Sequence, residues 1–447
     1  MPGPQPKGEP VTASATSHLP GREHRLARLA SALRREQVLF GLATAAVGLH
    51  IVDDNFLQAE PGTSAAGHLV SGLVPLAILV GVAAGYGRMR PGFRAVLALL
   101  FGALGAVMGT EAAYYADSDA LSGDDYTGLA SIPAGLLLIG IGVVTLWRSR
   151  RTDDSLPWRY LRRSLLAVAA VVAVALVLFP VSLAYVVTHT ARAGVPRANL
   201  GTVYEEVEFT TSDGLRLKGW YIPSRNRAAV IAFPGRSGPQ KQARMLARHG
   251  YGVLLFDRRG EGESDGDPNV FGWQGERDVH AAVAFLERRV DVDPERIGGI
   301  GLSVGGEMLI EAAAESEALK AVVSEGASGR SVRDDLANSD RVLDKVAAIT
   351  QAGVTVATAV FTNNLPPASL RSLVPRIAPR SVFFIYARHG QGGSEKHPNQ
   401  GFYAAAGEPK RIWEVPEGAH IGGITARPAE YERRVVAFFD RALLGDK

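Results

Sequence analysis

The chain of 447 residues contains no cysteine. This absence excludes disulfide bonds, metal sites built from thiolates and a cysteine nucleophile. It does not identify the compartment, because proteins without disulfides work on either side of a membrane. The chain also lacks a large excess of charge of either sign. Its formal net charge is +3, which is too small to suggest that it binds nucleic acid.

Charged residues are absent from long stretches of the first half of the chain. Five apolar segments, each a candidate for a membrane-spanning helix of about 20 residues, alternate with charged connections. They are roughly residues 37–52, 67–86, 93–110, 128–147 and 165–188. The last segment is the clearest, whereas the first is short and ends at Asp53 and Asp54. The long stretch before it and the lack of a cleavage site argue against a signal peptide.

Lysine and arginine are absent from the first and third connections, which carry only acidic charges such as Asp53 and Glu60. The N-terminal tail and the second and fourth connections are rich in arginine, for example Arg88 and Arg90. Because short cytoplasmic loops retain lysine and arginine, the N-terminus is predicted to be cytoplasmic. The sequence thus predicts a multi-pass protein of the cell membrane: a basic tail over 1–36, five helices over 37–188, and an extracytoplasmic domain over 189–447.

The polar residues near the helix ends have two interpretations. The acids could line an ion pathway, but acids of a pathway should lie within a span, so we interpret them as marking the outer boundary. His50 does lie within the first predicted span. We expect it to form a hydrogen bond with a neighbouring helix.

The second half alternates strand-like and helix-like segments. Residues 203–223 show two strand-like runs around Ser212-Asp213-Gly214, which is typical of a hairpin. Buried-strand runs such as "AAVIAF" and "YGVLLFD" then alternate with helical segments up to the terminal "PAEYERRVVAFFDRAL". Strands that alternate with helices predict a doubly wound, mostly parallel α/β sheet covered on both faces. The expected fold is therefore an all-α transmembrane bundle followed by an α/β domain.

Two serines lie in the pattern Gly-x-Ser-x-Gly, Ser264 and Ser303. A nucleophile elbow requires a strand, a strained turn and a helix that begins at once. Ser303 follows the apolar "RIGGIGL" and precedes "VGGEMLIEAAAES", whereas Ser264 is followed by more loop residues. The context therefore favours Ser303 as a nucleophile and a structural role for Ser264.

Four motifs in order resemble the α/β-hydrolase superfamily: "AFPGRSG", "VLLFDRRGEGESDG", "GIGLSVGG" and "VPEGAH". The resemblance covers residues 203 to 445 and leaves out the membrane segments. It implies a serine hydrolase whose triad occurs in the order serine, acid, histidine. It also implies that Ser264 lies in the structural loop after the fourth strand.

Candidates for the base and the acid lie after Ser303. His420 follows a strand-like run and precedes the terminal helix, where the family places its base; the fallback choices are His389 and His397. No aspartate occurs between Asp344 and Asp440, so the acid is expected to be Glu395, with Glu414 and Glu417 as alternatives. The acid would hold the imidazole tautomer and stabilise the imidazolium.

The oxyanion hole requires two backbone N–H donors. Val304, directly after the nucleophile, is expected to supply one. The other is expected from Arg236, with Gly235 second, in a loop where Pro234 replaces the usual histidine of the family.

These observations predict a membrane-anchored serine hydrolase that cleaves an ester-type bond without a metal or organic cofactor. Its partners would be the lipid bilayer and a small-molecule, lipid or peptide acyl substrate, but no nucleic acid. A serine peptidase or acyltransferase would use the same triad. A non-catalytic membrane sensor or assembly protein with a hydrolase-like binding domain is the alternative from another class.

Overall fold

The structure is a computed structural model that describes residues 20–117, 125–149, 155–190, 192, 194–337, 342–393 and 395–445. Several predictions fall outside the described residues. They concern the first part of the basic tail, most of the acidic third connection and part of the basic fourth connection.

The first half of the chain forms a bundle of helices. They are α1 (Pro20–Val52), α2 (Leu69–Gly85), α3 (Pro91–Asp117), α4 (Asp125–Arg148), α5 (Leu156–Ala173) and α6 (Phe179–Thr188). One π-helical turn, Val174–Leu178, joins α5 and α6 into a continuous helix. Among the described residues, four stretches are long and apolar enough to cross a membrane. These are Leu69–Arg88, Pro91–Tyr114, Tyr126–Arg148 and Leu156–Thr188.

The first predicted span, residues 37–52, lies in α1, which is not among these four. This helix begins at Pro20, well before residue 37, because residues 20–36 are rich in the strong helix formers alanine, leucine and arginine. The same residues carry many charges, so only the second part of α1 is apolar. Its membrane crossing therefore stays a prediction.

Glycines bring α3 and α4 into close contact. A Cβ atom at Gly135 of α4 would lie 2.6 Å from the carbonyl oxygen of Gly102 on α3, and one at Gly102 would lie 2.7 Å from the carbonyl oxygen of Gly135. Small residues that let two backbones approach are typical of membrane helix pairs. At one end of the bundle, Phe40 of α1 stacks on Tyr86, with ring centroids 3.8 Å apart.

The opposite end of α1 is held by hydrogen bonds. His50 Nδ1 lies 3.2 Å from Thr127 Oγ1, and His50 Nε2 lies 3.3 Å from Tyr185 Oη. Thr127 also donates to Asp53 Oδ2 at 2.8 Å. His50 thus forms hydrogen bonds with neighbouring helices, as the sequence analysis expected.

The second half is built around an eight-stranded sheet with the order β1-β2-β4-β3-β5-β6-β7-β8. The strands are β1 (Glu205–Thr210), β2 (Arg216–Ile222), β3 (Ala229–Phe233), β4 (Gly252–Phe256), β5 (Ile297–Leu302), β6 (Ala321–Glu325), β7 (Ser381–Ala387) and β8 (Lys410–Val415). β1 and β2 form the predicted hairpin, and β2 pairs antiparallel with β4. The other neighbouring strands are parallel. The doubly wound, mostly parallel sheet is confirmed.

Helices cover both faces of this sheet and enclose one apolar core on each. They are α7 (Gln240–Arg248), α8 (Gly275–Glu287), α9 (Val304–Glu315), α13 (Lys396–Ala405), α14 (Gly423–Ala426) and α15 (Pro428–Phe439). The segment between β6 and β7 carries three more: α10 (Val332–Ala337), α11 (Val342–Thr362) and α12 (Leu370–Leu373). We call residues 327–380 the cap segment.

The two halves are joined by polar contacts. The α1–α2 connection meets the loop after β4, where the N–H of Gly266 donates to the carbonyl oxygen of Pro61 at 2.8 Å. His68 Nε2 lies 3.1 Å from Asp267 Oδ1 in the same region. The α/β domain therefore lies at the end of the bundle that carries the α1–α2 connection.

Candidate active site

Ser303 occupies a strained turn between β5 and α9. Its backbone has φ 53° and ψ −125°, a conformation that side chains rarely adopt, and α9 begins at the next residue. A Cβ atom at Gly301 would overlap the carbonyl oxygen of Gly305, and one at Gly305 would lie 2.5 Å from the Pro234 ring. The glycines of the motif are therefore required by the close approach of β5, α9 and the loop after β3. This strand–turn–helix geometry is that of a nucleophile elbow.

Ser264, the other serine in the same pattern, is fully buried. Its hydroxyl donates to the carbonyl oxygen of Asp257 at 2.6 Å and accepts from the N–H of Lys218 at 3.0 Å. Both hydrogen bonds close the loop after β4 onto β2. Ser264 thus occupies a structural position and has no access to a substrate.

His420 and Glu395 lie next to Ser303 although they are distant in the chain. His420 Nε2 is 2.9 Å from Ser303 Oγ, and His420 Nδ1 is 2.5 Å from Glu395 Oε1. Because a carboxylate only accepts hydrogen bonds, this arrangement leaves the proton on Nδ1. Nε2 is then an acceptor for the Ser303 hydroxyl. The amide nitrogen of Gln391, which the sequence analysis did not single out, lies 3.0 Å from the same Nε2.

Glu395 is completely buried and has a second fixed contact, since its Oε2 accepts from the N–H of Ala387 at the end of β7. A Cβ atom at Gly390 would overlap Glu395 Oε1, so a larger residue there would displace this carboxylate. Glu395 therefore lies after β7, and β7 is adjacent to β8, the strand that precedes His420.

The alternative candidates for the acid and the base have other surroundings. Glu414 accepts hydrogen bonds from Tyr386 and Arg388, and Glu417 accepts from Arg427. His389 and His397 are both exposed. Of the residues weighed from sequence, the structure brings together Ser303, His420 and Glu395.

The loop after β3 differs from expectation. The N–H of Arg236 donates to Asp257 Oδ1 at 2.9 Å, and its guanidinium also binds this carboxylate. Arg236 is therefore already engaged and is not free to be an oxyanion donor in this structure. The cause is the turn at Gly235, whose φ of +70° directs the following backbone towards the end of β4.

Two other backbone donors are available near the nucleophile. Val304 is the first residue of α9, where helical N–H groups have no intrahelical acceptor. Within the described part of the chain, neither the N–H of Val304 nor that of Gly235 has a hydrogen-bond partner. Gly235 was the second choice from sequence and replaces Arg236 as the candidate.

Glu325, at the end of β6, is a buried acid that the sequence analysis missed. Its backbone carbonyl accepts from the N–H of Ser303 at 2.8 Å. Its carboxyl group accepts from the N–H of Gly423 at 2.8 Å and from Tyr431 Oη at 2.6 Å. Burial raises the pKa of Glu325 above its ordinary value. This residue anchors the loop that carries His420, and the signal in the sequence was an acid at the end of a buried strand.

Comparisons with known proteins also point to a hydrolase. Residues 190–376 match the family described as X-Pro dipeptidyl-peptidase (S15 family). The Escherichia coli (strain K12) protein YfhR is 27% identical over 255 residues, which cover 54% of this chain and 81% of YfhR. The polyketide transferase grgF of Penicillium sp is 35% identical over 127 residues, which cover 27% of this chain and 43% of that protein.

Solved structures are also similar. The esterase Pf2001 of Pyrococcus furiosus has a TM-score of 0.46 and 23% identity, and the match covers 57% of this chain and 98% of the esterase. The α/β-hydrolase GrgF of Penicillium sp. sh18 has a TM-score of 0.45 and 22% identity, with 54% of this chain and 100% of GrgF covered.

The sheet order, the strained turn at Ser303 and the family match together define a hydrolase domain. The second half of the chain has an α/β-hydrolase-like fold, and the family match supports the general class of a serine hydrolase.

Proposed function

We propose that this protein is a membrane-anchored serine hydrolase that cleaves a carboxylic ester with Ser303, His420 and Glu395. The observation that carries the proposal is the continuous chain of short contacts among the three side chains. His420 Nε2 is 2.9 Å from Ser303 Oγ, and its Nδ1 is 2.5 Å from the buried carboxylate of Glu395. A serine hydroxyl becomes a competent nucleophile when such a base removes its proton during attack.

The reaction would proceed in two halves. Ser303 Oγ attacks the ester carbonyl while its proton moves to His420 Nε2, and Glu395 stabilises the imidazolium. The N–H groups of Val304 and Gly235 donate to the tetrahedral oxyanion. His420 then gives the proton to the leaving alcohol, and the acyl group stays on Ser303. Water then attacks the acyl carbonyl while its proton moves to His420, the bond to Ser303 Oγ breaks, and His420 returns the proton to Ser303 as the acid leaves.

Membrane anchoring is supported by the four apolar helices and by the position of α1. Phe40 of α1 stacks on Tyr86 beside the basic α2–α3 turn, and Asp53, in the π-helical turn directly after α1, accepts from Thr127 at the beginning of α4. From Glu36 to Asp53, the helical chain therefore runs the length of the bundle, about 26 Å against a hydrocarbon core of about 30 Å. This geometry supports α1 as a fifth crossing.

A peptide or acyl-transfer activity on the same residues is the second candidate. It is favoured by the match of residues 190–376 to a dipeptidyl-peptidase family and by the similarity to a protein named polyketide transferase. Matched ester, thioester and amide substrates with one common acyl group would separate these activities. We expect the ester to be cleaved fastest, and preferential amide cleavage would replace the ester proposal.

The experiment that tests catalysis itself uses the full chain in detergent with a fluorophosphonate probe, which labels activated serines. The wild-type protein should be labelled and Ser303→Ala should not. A folded wild-type protein that resists labelling and cleaves no ester would instead support a non-catalytic binding domain.

A further inference from the structure

The cap segment contains a helix whose composition is unusual for a soluble domain. From residue 346 to residue 361, α11 carries no charged residue. A stretch of 16 residues is shorter than a membrane span, which requires about 20. The absence of charge nevertheless makes this part of α11 compatible with lipid around much of the helix.

This helix packs along the last membrane helix of the bundle. A Cβ atom at Gly353 would lie 3.1 Å from the ring of Pro180 on α6. Further along, the ring of Phe361 packs edge-on against Tyr185 and His189, with ring centroids 5.8 and 5.9 Å away. Pro180 lies eight residues before the end of α6, which corresponds to about 12 Å of helix. The cap helix therefore extends about 12 Å along the span, starting from the end next to the hydrolase domain.

The outward face of α11 is apolar. Ile349 and Val356, which lie two helical turns apart on one face, are 60% and 65% exposed. Val354 and Thr358, by contrast, are buried. Apolar side chains of the neighbouring span, such as Phe179, are exposed as well. Phe179 is next to Pro180, the residue that Gly353 approaches, so the exposed apolar surface of α6 continues onto α11.

A short path joins this region to the nucleophile. The N–H of Val270, in the loop before α8, donates to the carbonyl oxygen of Val187 on α6 at 2.9 Å. Two residues later, a Cβ atom at Gly272 would lie 2.7 Å from the side chain of Val304. Because each residue spans at most about 3.6 Å, the Cα atom of Ser303 lies within roughly 25 Å of that of Val187. The Arg330 guanidinium donates to the carbonyl oxygen of Gly272 at 3.1 Å and ties the cap segment to this loop.

We propose that α11 lies in the bilayer leaflet next to the hydrolase domain, and that the substrate is a lipid ester which reaches Ser303 laterally from that leaflet beside α11. This inference rests on the proposed function and specifies its substrate class. A lipid would keep its acyl chain in the bilayer while its ester bond moves the short distance to the nucleophile.

The position of α11 can be tested directly because the chain contains no cysteine. A nitroxide label would be attached to Val356→Cys in the full chain, reconstituted in phosphatidylcholine vesicles. Val290→Cys is the matched control, since Val290 is 92% exposed in the turn between α8 and β5, at the opposite end of the sheet strands. Relaxation by oxygen should dominate at residue 356, and relaxation by a water-soluble nickel chelate at residue 290. Equal accessibility to the chelate at both residues would overturn the proposal.

The substrate class requires a second measurement. A long-chain fluorogenic ester embedded in the same vesicles would be compared with a water-soluble acetate ester, for the wild type, Val356→Asp and Val290→Asp. Placing an aspartate in the apolar leaflet is unfavourable. Val356→Asp should therefore lower cleavage of the embedded ester by about tenfold or more and change acetate cleavage by less than about twofold. Val290→Asp should change neither.

The hydrolase proposal and the proposal of lateral lipid entry are refuted by different results. If Ser303-dependent acetate cleavage is present and Val356→Asp leaves the ratio of the two activities unchanged, lateral lipid entry is wrong and the hydrolase proposal stands. If neither ester is cleaved in a Ser303-dependent manner, the hydrolase proposal falls, and this substrate class falls with it.

Discussion

Ser303 and Ser264 show how little a short pattern specifies without its surroundings. Both lie between glycines, but only Ser303 has a positive φ and a helix that begins directly after it. The Ser264 hydroxyl instead forms two hydrogen bonds with the backbone. A nucleophile must keep its oxygen accessible to both a base and a substrate, and this requirement separates the two residues.

The first prediction compares these serines. Ser303→Ala removes the attacking oxygen and should lower kcat for ester cleavage by up to about 10⁶-fold. Ser264→Ala leaves two buried backbone groups without a partner, which should cost about 1–3 kcal/mol of stability while most activity remains. Steady-state kinetics and thermal unfolding of both purified variants check this. Equal loss of activity in two folded proteins would contradict the assignment.

Glu395 provides the second prediction. Glu395→Gln should keep the shape of the site but no longer favour the tautomer with the proton on His420 Nδ1, so kcat should fall by about 10⁴-fold. Glu417→Gln is the control, because Glu417 pairs with Arg427 on the surface. A near-normal rate for Glu395→Gln together with a severe loss for Glu417→Gln would show that the acid is Glu417.

The sequence was sufficient to select the three side chains that the structure brings together, but not all of their surroundings. Glu395 could be selected because no aspartate lies between Asp344 and Asp440. The engagement of Arg236 by Asp257 could not be predicted, because it depends on how a turn orients one N–H towards another strand. Contacts of this kind are set by tertiary geometry, which spacing along a chain does not encode.

At the scale of elements, the closest packing in the bundle is between α3 and α4. Gly102 and Gly135 approach so closely that a Cβ atom on either would contact backbone atoms of the other helix. Backbone atoms cannot rotate away as a side chain can. Any larger residue at these positions must therefore separate the helices.

The third prediction follows from this contact. Gly135→Leu should lower the thermal unfolding midpoint of the protein in detergent by about 4–10 °C, because overpacking costs about 1–3 kcal/mol. Gly140→Leu, on the same helix, has no atom within 4 Å of the added Cβ and should leave the midpoint nearly unchanged. Similar midpoints for the two variants would show that the glycine contact does not limit the packing of α3 on α4.

The strands and most of the helices were predictable because their apolar patterns are strong. The helices α10 to α14 were not predicted, and α1 is longer than predicted. Helix α1 extends back to Pro20 through residues that the sequence places in the basic tail, and α11 lies in the long segment between β6 and β7. The uncharged run over residues 346–361 was visible in the sequence. Its role could be inferred only from its contact with α6, and that contact is seen only in the folded chain.

At the scale of the whole molecule, the hydrolase domain lies at one defined end of the bundle. This end carries the acidic α1–α2 connection, where Glu60 pairs with Arg192 and His68 lies beside Asp267. The opposite end carries the arginine-rich turn between α2 and α3. Because basic connections stay in the cytoplasm, the arrangement favours an extracytoplasmic hydrolase domain.

The last prediction tests this placement. A reporter that is active only outside the cytoplasm should be active when fused after Lys447 and inactive when fused after Arg90. The result depends on the number of crossings, since five spans place the two ends of the chain on opposite sides. The critical element is α1, whose apolar part is short but which runs from the basic end of the bundle at Phe40 to the acidic end at Asp53. An inactive C-terminal fusion in a stably expressed protein would refute the outside placement. It would leave the catalytic proposal intact, because the contacts of Ser303, His420 and Glu395 all lie within the hydrolase domain.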